Sequence, residues 1–232
     1  QYALPFGYLY DKEWNREEVK EMSGLDKTLA FLSGFYYTDA EETSSYQKAD
    51  LPEQTDLSLL DYADTAIDCT MEKGSEGITV SNLGADPNVV FPGVTSCFAD
   101  NDKLYGLSLT VDAPDETEMA VYYQTEGDEG FSAEKVYTFK VTEDNRTWEH
   151  LVPGGITELR VDVSSPVESA VINNFELKSC DITESGYTAL KESGVAEVTF
   201  SDSTYQAQVT NDTSENKMLC VPLFYQKGWT AQ

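Results

Sequence analysis

The sequence predicts a mainly β protein, an antiparallel β-sandwich or jelly roll, with a short helical segment before it and a small β unit after it. Three observations carry that prediction. From about Thr65 onward apolar and polar residues alternate, run after run, which is the two-residue period of strands with one buried face. The runs are short and separated by turn signals such as Glu126-Gly127-Asp128 and Pro153-Gly154-Gly155, with no helical block between them, which favours antiparallel over parallel pairing. At 232 residues, 40% hydrophobic and 12% aromatic, the chain is also long and apolar enough to bury a core.

Taken in order, residues 1–56 form the helical segment and an acidic loop. Asn15 is placed to cap a first helix, with Glu18 three residues on and Gly24 past its end. Ser23 is placed to cap a second, with Asp26 at the third position, Leu25, Leu29 and Leu32 at helical spacing, and Gly34 as the stop. The polar stretch from Asp39 to Asp56 reads as a surface loop or linker. Residues 57–181 form the sandwich. In "LSLTVD" Leu107, Leu109 and Val111 share one face, and "TEMAVYYQ", "KVYTFKVT", "ELRVDVSS" and "VINNFELKS" follow as further strands. Residues 182–232 begin with a short helix near Tyr187 to Lys191 and resume the alternation in "AEVTFSD", "TYQAQVTND" and "KMLCVPLFY", where Pro222 demands an edge or a bulge.

Charge narrows the function. Fifteen Lys and Arg stand against 42 Asp and Glu, a net charge of -27 that repels nucleic acid and anionic headgroups. No run approaches the roughly 20 apolar residues that span a bilayer, and the first residues lack the basic start and apolar block of a signal peptide. Cys69, Cys97, Cys180 and Cys220 are far apart without a Cys-x-x-Cys pair, against a zinc or redox motif, and their strand-like surroundings favour mostly free, buried thiols.

Catalytic signals are sparse. The one histidine, His150, has no nucleophile elbow to serve and reads as a strand-end surface residue. Paired carboxylates for glycoside hydrolysis have dozens of candidates and no contrast among them. No cofactor is expected; calcium is a weak option at Asp100, Asn101 and Asp102, or at Asp112, Asp115 and Glu116, because hard cations take clustered oxygens. The sequons at Asn145 and Asn211 fit surface turns. Trp148, Tyr105, Tyr122 and Tyr123 belong to the alternating strands and are the candidate glycan-binding rings, since sugar C–H faces pack well on aromatic planes.

Both ends of the chain carry a resemblance. "YQKGW" (Tyr225 to Trp229), preceded by the apolar run Leu219 to Phe224, resembles a Tyr-x-x-Gly-Trp signature of the YfhO family of bacterial membrane proteins, with Tyr225, Gly228 and Trp229 in the matching places. "ALPFGYLYD" resembles that family's Leu-Pro-x-Gly-Tyr motif through Leu4, Pro5, Gly7 and Tyr8, and "GLDKTLAFLSG" is similar to the helix that follows it. Gln226 stands where the family often has Asp, and the Val-Asp-Gly continuation is missing, as expected of an excised segment. The middle, from about Leu104 to Lys178, resembles a carbohydrate-binding-module or galactose-binding-like jelly roll.

The resemblance implies a non-catalytic extracytoplasmic domain of a multi-spanning membrane protein similar to type-C glycosyltransferases, on the outer face of a Gram-positive cytoplasmic membrane. Such a parent uses polyprenyl-phosphate sugars to glycosylate teichoic-acid-type envelope polymers, and this domain would position acceptor glycan. Its partners would be the parent's transmembrane part and envelope glycan, and no catalytic residue maps onto this chain. The alternatives are a carbohydrate-binding module of a secreted or surface protein and a secreted glycoside hydrolase with an acidic pair.

Overall fold

In a computed structural model of the chain, residues 8–10, 12–35, 47–51, 54–164, 168–183, 197–201, 204–208, 210 and 217–220 are described. They fall into two compact units, one built from residues 1–52 and 184–232, the other from residues 53–183. The segment expected as a short helix near Tyr187, Pro222, and the motif residues Leu4, Pro5, Gly7, Tyr225, Gly228 and Trp229 lie outside the described residues.

The smaller unit opens with strands β1 (Tyr8–Tyr10) and β2 (Lys12–Glu13), helices α1 (Arg16–Glu21) and α2 (Gly24–Ser33), and strand β3 (Gln47–Lys48). Both helix starts follow from their caps: the Asn15 side chain accepts from the Glu17 backbone N–H, and Ser23 Oγ accepts from that of Asp26. Glu18 does not close a capping box, since its carboxylate is engaged by Lys48 at 2.9 Å. Gly24 opens α2 instead of ending α1. Gly34 ends α2 for a packing reason: its backbone is extended, and a Cβ there would sit 2.7 Å from Ala49 Cβ and 3.0 Å from the Lys12 carbonyl. The apolar faces of the helices enclose a small core of Trp14, Val19, Ala30 and Ala49, with the Trp14 indole N–H donating to the Ala30 carbonyl at 2.8 Å.

The larger unit contains strands β4 (Gln54–Ser58), β5 (Thr65–Ile67), β6 (Thr70–Gly74), β7 (Gly77–Ser81), β8 (Asn88–Pro92), β9 (Lys103–Asp112), β10 (Glu118–Thr125), β11 (Val136–Lys140), β12 (Thr147–Pro153), β13 (Ile156–Ser164) and β14 (Ser169–Thr183). β4 starts within the stretch expected as a loop; it is polar and its residues are mostly exposed, so it lacks the alternation that marks a strand. Five strands pair in the order β11-β10-β13-β8-β5, and the second sheet runs β12-β9-β14-β7-β6 with β4 also on β14. Every pairing in both sheets is antiparallel. Because consecutive strands keep changing sheet, both inner faces contribute to one core, and the unit is an antiparallel β-sandwich.

The alternation places the core as expected. Leu107, Leu109 and Val111 on β9 meet Val89 and Phe91 on β8, Val121 on β10 and Leu159, Val161 and Val163 on β13, and Phe91 packs edge-to-face on Phe175 of β14 at 5.0 Å. Each such side chain, fully buried, contributes about 1.5–3 kcal/mol of transfer free energy. Where β14 bulges between Ile172 and Asn174, Gly77 passes so close that a Cβ would lie 2.1 Å from the Ile172 carbonyl oxygen, and its φ of +121° is itself a glycine conformation.

In the smaller unit, β15 (Glu197–Ser201) and β16 (Thr204–Gln208) form an antiparallel hairpin, and β17 (Met218–Cys220) pairs antiparallel with β1, Tyr8 opposite Cys220. The first and last described strands thus share a sheet. No helix among the described residues is long and apolar enough to cross a membrane. Cys69 and Cys97 are free thiols, both half-buried.

Candidate functional site

Strand parity decides which aromatic rings can meet a ligand. Met119 and Val121 on β10 are in the core, so Tyr123 also points inward while Ala120 and Tyr122 occupy the outer face of the five-stranded sheet. The pairing then fixes their neighbours. Tyr122 lies opposite Val136 and Arg160, and Arg160 opposite Val90; in the adjacent row Ala120 lies opposite Asp162, Asp162 opposite Asn88, and Asn88 opposite Ile67.

These residues form one polar and aromatic arrangement. The Arg160 guanidinium stands 4.4 Å over the Tyr122 ring and 5.3 Å from that of Phe131, which itself meets Tyr122 edge-on at 6.4 Å. Its Nε and Nη2 donate to the two carboxylate oxygens of Asp162 at 2.7 and 2.6 Å, a bidentate pair. Phe131 is carried by the loop from β10 to β11. That loop is pinned where Asp128 accepts from Thr125 N–H at 2.7 Å and from Lys135 Nζ at 2.5 Å, contacts that hold the Asp128 carboxyl below its ordinary pKa.

Burial makes the site electrostatically unusual. Asp162 is only 5% exposed, and that burial pushes its carboxyl above the ordinary carboxylate pKa, with the Arg160 hydrogen bond and charge only partly offsetting it and Asp86 adding a further upward push. Burial works against the charge on Arg160 too, yet the hydrogen bond and charge of Asp162 raise its pKa. Both partners therefore shift upward, whereas an exposed ion pair would lower the acid. The carboxyl is the more enclosed of the two: the side chains are 20% and 8% exposed for Arg160 and Asp162. Beside them Asn88 is 1% exposed; its Nδ2 donates to the Asp86 carbonyl at 2.9 Å, but its Oδ1 accepts no hydrogen bond from the described residues. An unfilled buried acceptor costs about 1–3 kcal/mol unless something donates to it.

The four aromatic residues singled out in the sequence do not gather into one patch. Tyr105 is a core residue at 5% exposure, edge-to-face on Phe98 at 5.3 Å, its hydroxyl accepting from Asp100 N–H. Trp148, 8% exposed, lies in the core between Phe139 and Tyr137, with ring centroids 6.1 and 5.5 Å away. Tyr123 stacks on Tyr137 at 6.0 Å, and burial pushes the Tyr137 phenol up to about 12. Trp148 and Tyr105 thus pack in the core, and of the four rings Tyr122 faces outward. His150 is exposed on β12 rather than at its end, its ring 4.2 Å from that of Tyr137.

The residues that sequence reasoning missed are Arg160, Asp162, Asn88 and Phe131. The first two had a signal: in "ELRVDVSS" they occupy the polar positions of a strand whose apolar positions are buried. Of the candidate calcium ligands, Asp112 and Asp115 pair with Arg146 at 3.3 and 3.4 Å, Glu116 pairs with Lys140, and Asp100 Oδ1 accepts from Asp102 N–H. Among the described residues no group of three or more His, Cys, Asp or Glu side chains is arranged to hold a metal ion.

Fold and site together define an antiparallel β-sandwich with an aromatic and hydrogen-bonding outer face. No protein-family model matches the chain, and no curated protein matches it. Among solved structures it is similar to the C-terminal CBM6 of a marine laminarinase from Zobellia galactanivorans, at 15% identity over 55% of this chain and 99% of that one, TM-score 0.38. It is similar as well to the CBM35 from Paenibacillus barcinonensis, at 14% identity over 53% and 97%, TM-score 0.32. A xylan-binding module, CBM15, matches at 13% identity over 55% and 96%, TM-score 0.36. At such identities and TM-scores the ligands of those modules carry no weight here.

Proposed function

We propose that the sandwich is a carbohydrate-binding module whose ligand lies across Tyr122, Phe131 and Arg160. The observation that carries this reading is the juxtaposition of two aromatic rings with a guanidinium held in place by Asp162. Sugar recognition needs both an apolar surface for C–H faces and fixed polar groups for hydroxyls. Two of the guanidinium's five N–H groups are committed to Asp162, and the Nη1 pair has no partner among the described residues. Calorimetric titration of the full chain with neutral oligosaccharides tests the reading. Tyr122→Ala should weaken binding about tenfold, the equivalent of about 1.4 kcal/mol. Binding that is unchanged in that variant would place the ligand elsewhere.

A second reading concerns the parent protein. β1, which carries Tyr8, pairs with β17, which precedes the Tyr225–Trp229 motif in sequence, and the sandwich is inserted in sequence between these two strands. That connection favours an extracytoplasmic domain of a YfhO-type, glycosyltransferase-like membrane protein that presents envelope glycan to a catalytic site elsewhere in the parent. A reading frame with hydrophobic spans on both sides of these residues would support it. Undiminished sugar transfer by a parent lacking the segment would remove the accessory role.

A further inference from the structure

We propose that Asp162 is a specificity-determining residue: by occupying Arg160 it restricts the outer face to uncharged glycans and turns away carboxylated or phosphorylated ones. The inference rests on the carbohydrate-binding reading and adds the ligand's charge class. Arginine recognises a carboxylate or phosphate through two parallel N–H groups on one edge. On Arg160 such an edge, Nε with Nη2, is already filled by Asp162 at 2.7 and 2.6 Å, and both partners are largely enclosed. An anionic sugar would have either to displace a carboxylate that is covalently in place or to bring a second negative charge onto the remaining Nη1–Nη2 edge beside it. What Arg160 keeps for a ligand is three N–H groups, the Nη1 pair and the second one on Nη2, which suit hydroxyl oxygens now that Asp162 balances the charge, and its contact with the Tyr122 and Phe131 rings, suited to a C–H surface.

The surroundings act in the same sense. Asp86 lies near enough for its charge to act on both members of the pair, and Glu158 occupies the next outward position on β13. A sugar acid therefore meets a guanidinium that is already neutralised, in a protein of net charge -27. The local and the global effects separate experimentally, because salt screens charges more than about 8–10 Å apart but acts weakly on an enclosed pair.

The test titrates the full chain with neutral hexamers (cellohexaose, xylohexaose, laminarihexaose) and with hexagalacturonate, at low and at high salt, and repeats the series with Asp162→Asn. The expected result is binding of at least one neutral hexamer by the wild type and rejection of the acidic one at both salt concentrations. Asp162→Asn should gain about tenfold in affinity for hexagalacturonate. Wild-type binding of hexagalacturonate that appears at high salt would overturn the inference and leave the carbohydrate-binding reading standing, since selectivity would then lie in the net charge. A folded Asp162→Asn protein that still rejects the acidic sugar overturns it as well. If that variant does not fold, the wild-type salt comparison decides. Failure of every hexamer to bind the wild type would bring down the carbohydrate-binding reading, and this inference with it.

Discussion

Arg160→Ala is the perturbation that probes the site most directly. It leaves Asp162, 5% exposed, without its cation, beside an Asn88 Oδ1 that offers no donor. Removing one partner of a buried ion pair costs about 3–5 kcal/mol. Arg160 keeps 20% of its side chain in solvent, so the pair is enclosed but not sealed, and about 2–3 kcal/mol is the better figure. Loss of the contacts to Tyr122 and Phe131 adds about 0.5–1 kcal/mol. The cost depends on pH, and its sign follows from the shift: burial already holds the Asp162 carboxyl above its ordinary value of 3.8, and losing Arg160 pushes it further up. A carboxyl with a raised folded-state pKa stabilises the fold at acidic pH, where it is protonated, and that stability is lost as pH rises through the folded pKa. The deficit of Arg160→Ala relative to wild type should therefore be small near pH ~4 and reach about 3 kcal/mol near pH ~7. Urea unfolding of the full chain reads it as a midpoint shift of about 1–2 M at neutral pH. The double variant Arg160→Ala/Asp162→Ala should recover part of the loss, since no charge is then left buried. A deficit below about 1 kcal/mol at neutral pH, or one that does not change with pH, would refute the account.

Two further predictions separate packing from binding. Trp148→Ala should cost about 3–5 kcal/mol by leaving a cavity in the core, with loss of binding only in proportion to unfolded protein; full stability with weakened binding would return Trp148 to the ligand site. Gly77→Ala drives a methyl group into the Ile172 carbonyl and should cost at least about 3 kcal/mol, whereas Gly127→Ala, with φ +90° and nothing within 4 Å, should cost only about 1 kcal/mol. Thermal unfolding of the pair checks this, and equal losses would mean that backbone conformation outweighs the clash.

The sandwich was legible because its strands are half-buried: Leu107, Leu109 and Val111 alternate with polar residues, and the structure buries all three. The helix starts were legible because Asn15 and Ser23 are short hydrogen-bonding side chains at the positions where free N–H groups need them. What alternation could not reveal was β4, whose exposed Gln-Thr-Asp-Leu-Ser sequence takes its place only through pairing with β14. Nor could a local pattern show that β1 pairs with β17, since the partners lie at opposite ends of the chain and nothing in a three-residue strand names its neighbour.

The site itself failed to show for a related reason. Aromatic content drew attention to Trp148, Tyr105, Tyr122 and Tyr123, yet the two-residue period allows only one of adjacent Tyr122 and Tyr123 to face out. Choosing between them required knowing that Met119 and Val121 are core. Arg160 and Asp162 share a face by the same period, but among 42 acidic residues an Asp two positions from an Arg carries no contrast. Their significance arises only when β13 is laid between β10 and β8, which brings Tyr122 and Asn88 to them from strands distant in sequence. A binding face on a sheet is a property of register, and register is settled by the whole core rather than by the residues that touch the ligand. It follows that a substitution which slips β10 against β13 by one position would exchange Tyr122 for Tyr123 on the outer face and dismantle the proposed site without altering any residue of it.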